Sequence, residues 1–280
     1  MEASKIKISY ADKSHINALK EIWHECFGDS FRYIYFFFEN RFDSCKTMIA
    51  SYDGKTVGAA YLMPVKTYEY GVLKNGWYGY AIGILKEYRK NGIYAMMHEK
   101  IMNDINAKNE FYILCPANQK LCEYYSSLGF TEFSYLNSVK IPKCSTECII
   151  TSEKITAQRY TQLRNEYFPS DGFILWDEKA IEYAICENDF CGGFTSEITL
   201  NGKTFVLMAR PLENGVKITE STVAERYLKD VTAYLCQRYG FDYAVWTRAA
   251  YELPNGNSFL SGMSCNLKKS ETAYLNMVLN

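Results

Sequence analysis

A strand that passes through a short basic turn into a helix is the feature that most constrains the fold. Apolar patterns predict a strand at 77–85, a helix at 93–105 and a buried strand at 111–115, with a turn at 89–92 between the first two. A helix that opens on such a turn presents unpaired backbone amides at the positive end of its dipole. The turn is therefore a candidate phosphate site, although an ordinary turn with solvated basic side chains has the same pattern.

The residues of this turn favour a negatively charged ligand. Gly92 has no Cβ and lets the backbone approach a ligand closely. Lys86, Arg89 and Lys90 add positive charge beside it. No Gly-Lys-Ser/Thr ends the turn, which excludes a Walker loop, and its single glycine excludes the Rossmann fingerprint. The turn thus predicts anion binding without naming the ligand.

A second informative stretch follows the strand at 111–115. A helix is predicted at 117–128, before the terminating Gly129, with Tyr124 and Tyr125 near its end. Tyrosines near a helix end commonly pack against neighbours, so these residues alone do not assign a role to either ring.

Together the two stretches resemble the GNAT (Gcn5-related N-acetyltransferase) superfamily. Arg89-x-x-Gly92 is similar to the start of its pyrophosphate motif, Arg/Gln-x-x-Gly-x-Gly/Ala. Tyr125-x-x-x-Gly129-Phe130 is similar to its Tyr-x-x-x-Gly-Phe signature. The separation of the two motifs and the order of the flanking elements fit as well, over residues 5–140.

The resemblance implies a fold class and a set of roles. The expected fold is α/β (α+β), with a mixed central sheet and flanking helices. The pantetheine arm of acetyl-CoA would lie along the strand before the turn like an added strand, and the pyrophosphate would sit on the amides of the turn. Tyr125 would be the general acid that protonates the thiolate after an amine attacks the thioester, with no metal involved. The implied cofactor-binding residues are Ile82, Gly83, Ile84, Arg89, Lys90, Asn91, Gly92, Ile93, Tyr94 and Asn118.

Tyr94 departs from the motif, which usually has Gly or Ala there, and its bulk could crowd the diphosphate. This position motivates an alternative, a coenzyme A-binding regulatory or scaffold protein without turnover. A third hypothesis is an aminoacyl transferase that takes its donor from tRNA. The acceptor amine is not readable from the sequence. Neither is the general base, since His24, Glu25 and Glu132 are candidates only by residue type.

The second half repeats the predicted element order without the basic turn. A polar connector at 141–152 separates predicted domains at 1–143 and 150–280, and a last strand is predicted at 274–279. Where the turn would lie, Glu220 and Glu225 would repel a diphosphate. We expect a degenerate GNAT-like copy that shapes the acceptor cleft. The pair resembles the tandem-GNAT "enhanced intracellular survival" branch without its sterol-carrier-like domain.

Composition bears on partners and location. The formal net charge of -1 gives no support to nucleic-acid binding. The longest aromatic run, at 31–38, is far shorter than a membrane span. The ten cysteines lack zinc-site spacing and no apolar signal segment follows Met1, so a reducing cytoplasm is expected. The expected partners are acetyl-CoA and an amine acceptor, and a homodimer is compatible with these features.

Overall fold

The structure is a computed structural model that describes residues 2–43, 46–168 and 171–276. Backbone contacts divide the chain into two compact units. The first unit comprises the described parts of Met1–Lys66, Lys74–Thr131 and Met263–Leu267, and the second those of Thr67–Leu73, Glu132–Gly262 and Lys268–Asn280. The predicted domains at 1–143 and 150–280 stay a prediction.

The elements of the first half of the chain follow one another in the order β-α-α-β-β-β-α-β-α-β. Its strands are β1 (Ile6–Tyr10), β2 (Thr47–Tyr52), β3 (Lys55–Glu69), β4 (Val72–Ile84), β5 (Phe111–Leu114) and β6 (Thr131–Pro142). Its helices are α1 (Ile16–Phe27), α2 (Phe31–Asn40), α3 (Ile93–Asn106) and α4 (Gln119–Ser127).

Local signals account for the boundary between α1 and α2. Gly28 ends α1 in the left-handed conformation, at a φ of 74°. Ser30 caps α2 by accepting from the amide of Tyr33 at 3.3 Å. The neighbouring Asp29 accepts from the indole nitrogen of Trp23 at 2.7 Å. The two helices are thereby fixed at their junction by short-range bonds.

The first unit is built on a sheet of mixed direction. Its strands are neighbours in the order β1, β2, β3, β4, β5. Asp53 and Gly54, at φ values of 52° and 83°, form the tight turn between β2 and β3, as an Asp-Gly pair between two apolar runs favours. β4 and β5 are parallel, and α3 makes the crossover between them. This crossover places the basic turn between the end of β4 and the start of α3.

The second unit has its own hydrophobic core. The further strands of the chain are β7 (Ile150–Lys154), β8 (Leu175–Trp176), β9 (Phe194–Leu200), β10 (Lys203–Pro211), β11 (Gly215–Ser221), β12 (Tyr243–Ala249) and β13 (Asn257–Cys265), the last of which belongs to the first unit from Met263 onwards. The further helices are α5 (Ala157–Tyr167), α6 (Glu178–Phe190) and α7 (Leu228–Tyr239). β6, β12, β11, β10, β9 and β7 are neighbours in that order, and β11 and β12 are parallel. In the part of the chain that the structure describes, no helix is both long and apolar enough to cross a membrane.

Two predictions for the second half need correction. The stretch at 141–152, predicted as a connector, has no helix or strand at 143–149, but it also contains the end of β6 and the start of β7, which pairs with β9 at the end of the strand order. An edge strand with exposed side chains carries little apolar alternation, which hid β7 in the sequence. No strand covers 274–276, where Tyr274 makes a single bridge with Phe173, and residues 277–279 lie outside the described residues. The strand that forms instead, β13, was not predicted.

Candidate active site

A cleft of about 570 Å³ opens in the first unit where β4 ends and α3 begins. It contains Tyr125 and every predicted cofactor-binding residue except Asn91 and Asn118. The lining residues are Cys26, Phe27, Ile82, Gly83, Ile84, Tyr88, Arg89, Lys90, Gly92, Ile93, Tyr94, Leu121, Tyr124 and Tyr125. Residues from two motifs more than thirty positions apart therefore meet at one concave surface.

The turn at the start of α3 exposes the first amides of the helix. Lys90 and Gly92 both have a left-handed backbone, at φ values of 64° and 72°. Gly92 is the N-terminal cap and provides no side chain to bond the helix amides. Asn91 donates to the carbonyls of Tyr88 and Arg89 at 3.1 and 3.0 Å. Asn91 thus shapes the turn from within, and the helix amides are left for an anion.

Arg89 is tethered to the end of β4. Its Nε donates to the Ile84 carbonyl at 2.8 Å, and its Nη2 lies 3.6 Å from Cys26 Sγ. Cys26 Sγ also donates to the Ile84 carbonyl, at 3.3 Å. A pantetheine amide that paired with this carbonyl would have to displace or share these two donors. The role predicted for Ile84 and Arg89 in binding the cofactor stays a prediction.

β4 is distorted just before the cleft. Ala81 has a φ of 44°, which costs an L-residue roughly 1–2 kcal/mol. Past this point, the Leu85 amide donates to the Val57 carbonyl of β3 at 2.9 Å. Backbone N–H and C=O groups of successive residues point to alternate sides of a strand. Those of Ile84 therefore point away from β3, to the side on which the cleft lies.

Tyr125 lies near the end of α4 and is only 7% exposed. Its ring packs on Phe130 at a centroid distance of 5.6 Å. Burial is the main cause that raises its pKa to about 12, so the phenol keeps its proton at neutral pH. Asn118 accepts from the Leu121 amide at 3.0 Å and caps α4. Asn118 therefore fixes the helix that carries Tyr125, and does not line the cleft.

Tyr94 directs its ring into the interior and is 6% exposed. Its hydroxyl lies 3.4 Å from that of Tyr112 on β5. Its ring lies edge-on to Tyr125 on α4, with centroids 5.9 Å apart. Its bulk is thus accommodated by packing between α3, β5 and α4, where a Gly or Ala would leave space.

None of the candidate bases lines the cleft. Glu25 Oε1 accepts from the Lys86 amide at 2.7 Å and ties α1 to the turn. His24 Nδ1 is 2.7 Å from the Asp29 carbonyl. Glu132 belongs to the second unit and accepts from a tyrosine hydroxyl, that of Tyr135, at 2.6 Å. Among the described residues that line the cleft, the ionisable side chains are thiol, phenol, guanidinium and ammonium groups, with no carboxylate or imidazole.

Five lining residues of the cleft were not among the predicted site residues, namely Cys26, Phe27, Tyr88, Leu121 and Tyr124. Cys26 and Phe27 come from the last turn of α1, which lies outside both sequence motifs. Burial raises the pKa of the Cys26 thiol, and the neighbouring Arg89 partly opposes this. Within the described residues, no three His, Cys, Asp or Glu side chains are grouped as metal ligands.

The second unit has a similar strand-to-helix passage without the turn. A short 3-10 helix at Glu225–Tyr227 runs directly into α7 at Leu228. In the first unit, residues 89–92 separate the 3-10 helix Lys86–Tyr88 from α3. Glu220, expected to repel a diphosphate, is instead fully buried in an ion pair with Arg164. Glu225, the other predicted carboxylate, is exposed in the first turn of the 3-10 helix, so the passage differs from that of the first unit by the missing turn and by this one exposed carboxylate.

Comparison with known proteins points to one family. Residues 7–133 match the family model described as an acetyltransferase (GNAT) domain. No curated protein matches the sequence.

Several solved structures share the fold. A GCN5-related N-acetyltransferase from Anabaena variabilis has a TM-score of 0.72 at 14% identity, covering 92% of this chain and 72% of its own. Eis1 from Mycobacterium abscessus has a TM-score of 0.67 at 9% identity, covering 92% and 73%. Saccharomyces cerevisiae N-myristoyltransferase, solved with bound myristoyl-CoA, has a TM-score of 0.62 at 10% identity, covering 97% and 85%. At these identities the likeness concerns the fold alone, and it confirms the predicted mixed α/β class.

Proposed function

We propose that this chain, whose residues 7–133 match the acetyltransferase (GNAT) domain model, is an N-acetyltransferase that moves an acetyl group from acetyl-CoA to a primary amine. One observation carries the proposal. The uncapped amides at the start of α3 and the protonated phenol of Tyr125 line the same cleft. A coenzyme A thioester requires an anion-binding site for its diphosphate at one end and a proton donor for its departing thiolate at the other.

The charge of the cleft supports acyl-CoA as the donor. Its charged lining residues are Arg89 and Lys90, and the amides that follow Gly92 add the positive end of a helix dipole. These groups suit a diphosphate. The similar yeast N-myristoyltransferase was solved with an acyl-CoA, which supports the same donor class here.

In the proposed reaction the amine attacks the thioester carbonyl directly. A C–N bond forms and gives a tetrahedral intermediate, whose collapse breaks the C–S bond. Tyr125 donates its phenolic proton to the departing thiolate, a contribution typically worth roughly 10²–10⁴-fold. The attacking nitrogen loses its proton to solvent or to a base that is not assigned. Cys26 has a raised thiol pKa and takes no covalent part in this scheme.

The second unit is proposed to be a GNAT-like copy that does not bind coenzyme A. β11, a short 3-10 helix, α7 and the parallel β12 repeat the arrangement of β4, α3 and β5, which supports a common design. The turn that would hold a diphosphate is missing there. A cytoplasmic location and a homodimer belong to the proposal, the latter to be tested by sedimentation.

The test measures donor binding and turnover separately. Calorimetry with acetyl-CoA reports binding, and release of free thiol in the presence of a panel of polyamines, aminoglycosides, small amines and peptide N-termini reports transfer. Thiol release that requires both acetyl-CoA and one class of amine supports the proposal. Tight binding without transfer to any amine would support the non-catalytic alternative. Transfer that occurs only from aminoacyl-tRNA would support the tRNA-dependent one.

A further inference from the structure

We propose that Tyr94 is a positioning residue that holds the phenol of Tyr125 in the cleft. The inference rests on the proposed function, because it concerns the acid of that reaction. It explains why a bulky aromatic residue stands where the GNAT motif usually has Gly or Ala. Tyr94 would act through Tyr125 and would not itself contact the reacting atoms.

Tyr125 and three other aromatic side chains form a closed ring of contacts. Tyr94 lies edge-on to Tyr125, with an interplanar angle of 77° and centroids 5.9 Å apart. Tyr125 contacts Phe130 at 5.6 Å, and Phe130 contacts Tyr112 at 5.3 Å. The hydroxyls of Tyr112 and Tyr94 close the ring at 3.4 Å. Edge-on and tilted pairs are favoured geometries for aromatic rings, so the circuit limits how Tyr125 can move.

The far side of this circuit is anchored in the core. Tyr112, on β5, is fully buried and Phe130 is 2% exposed. His98, one turn along α3 from Tyr94, contacts the rings of Tyr94, Tyr112 and Phe130, with centroid distances of 6.2, 6.1 and 5.0 Å. Its Nε2 lies 3.0 Å from the Leu128 carbonyl at the end of α4. Tyr94 is therefore held by β5 and α3 on one side and holds Tyr125 on the other.

Tyr94 also links the two ends of the proposed donor site. Its backbone lies in the first turn of α3, where the amides would hold the diphosphate, while its ring contacts the proposed acid. A displacement of about 1 Å at a reacting group can cost up to roughly 10²-fold in rate. A substitution that removes the Tyr94 ring removes one of the side chains that pack against Tyr125. It leaves the backbone amides at the start of α3 in place.

Two substitutions separate the ring from its hydroxyl. Tyr94→Leu should lower kcat by roughly 10- to 10²-fold while the KM for acetyl-CoA changes little. Tyr94→Phe keeps the edge-on contact and should remain within about threefold of wild type. Phe205→Leu, at a residue of the second unit with 7% exposure, controls for the loss of a buried ring and should lower the melting temperature without lowering kcat.

A double-mutant cycle shows whether Tyr94 acts through Tyr125. In the Tyr125→Phe background the phenolic proton is already absent, so Tyr94→Leu should lower kcat no further. An equal fall in both backgrounds, or no fall in either, would overturn the inference. Folding of Tyr94→Leu is checked by melting curves, and Tyr94→Met provides a second variant that lacks the ring, with a flexible side chain of similar volume to Leu. If Tyr94→Leu unfolds, the same comparison is made with Tyr94→Met.

A measurement without turnover distinguishes failure of this inference from failure of the proposed function. In protein labelled with ¹³C at the tyrosine ring, the Tyr125 signal is the one missing from Tyr125→Phe. In Tyr94→Leu it should shift towards the free-tyrosine position, whereas in Tyr94→Phe it should stay near its wild-type position. A Tyr125 signal unchanged in Tyr94→Leu would sink the positioning role even if acetyl transfer were demonstrated.

Discussion

At the residue scale, Tyr125 is the group on which the proposed chemistry depends. Tyr125→Phe keeps the ring and its packing on Phe130 and Tyr94 and deletes only the proton. We expect kcat to fall by roughly 10²-fold or more, because the thiolate would leave without its acid. Acetyl-CoA affinity by calorimetry and the melting temperature should change little.

The raised pKa of Tyr125, about 12, allows a control based on how kcat depends on pH. A phenol with that pKa stays protonated below pH 10, so loss of its proton cannot shape the wild-type kcat profile there. The profiles of wild type and Tyr125→Phe should therefore be parallel from pH 6 to about 9.5. Near-normal turnover of Tyr125→Phe with an accepted amine would show that another group protonates the thiolate.

At the element scale, the turn before α3 is the proposed seat of the diphosphate. Gly92→Asp puts a carboxylate at the start of this helix and forces a side chain into a backbone with a φ of 72°. We expect it to weaken acetyl-CoA binding by more than tenfold, and more than Lys90→Ala, since an exposed ammonium contributes little through solvent. Calorimetry measures both.

The matched control is Gly202→Asp in the turn between β9 and β10. Gly202 has a φ of 71°, and like Gly92 it has open space where a Cβ would lie. The two variants should lose similar stability, but Gly202→Asp should bind acetyl-CoA as wild type does. Equal, small effects of Gly92→Asp and Lys90→Ala would place the diphosphate elsewhere.

The contact between β4 and α1 forms one wall of the cleft and depends on Gly83. A Cβ at this position would lie 3.0 Å from Cys26 Sγ and 3.3 Å from Phe27 Cε2. Gly83→Ala should therefore lower the free energy of unfolding by about 1–3 kcal/mol, as crowding of a packed contact does. Urea denaturation measures the change.

Removal of the Cys26 sulfur should relieve part of that crowding. The loss caused by Gly83→Ala should be smaller in a Cys26→Ala background, although the Cys26 Cβ, at 3.1 Å, remains close. A double-mutant cycle in denaturant gives the coupling. Additive effects of the two substitutions would mean that α1 moves away from β4 when Gly83 is enlarged.

At the scale of the whole molecule, the two units should differ in their binding of coenzyme A. In the first unit, the turn at 89–92 separates the 3-10 helix Lys86–Tyr88 from α3. In the second unit, the 3-10 helix Glu225–Tyr227 runs directly into α7. Calorimetric titration of the full chain with acetyl-CoA should therefore give one site per chain. Gly92→Asp should reduce the affinity of that single site and reveal no second one. Two sites of equal affinity would contradict a degenerate second copy.

Much of the first half could be predicted because its signals are local. The turn at Asp53 and Gly54, the end of α1 at Gly28 and the passage from β4 into α3 depend on backbone conformations that particular residues favour. The second half was harder. β7 is an edge strand with exposed side chains, and β13 contains four Ser and Gly residues in nine, so neither has the apolar alternation that identifies a strand.

The sequence by itself determined the order of elements in the first half, the basic turn and the tyrosine signature after it, because each depends on residues that are close together in the chain. Only the tertiary structure decided that Arg89 bonds the end of β4, that Cys26 and Phe27 line the cleft, and that Tyr94 packs against Tyr125. These contacts join residues from different elements. Their geometry is fixed by how α1, β4, β5 and α4 pack together, and no local periodicity records it.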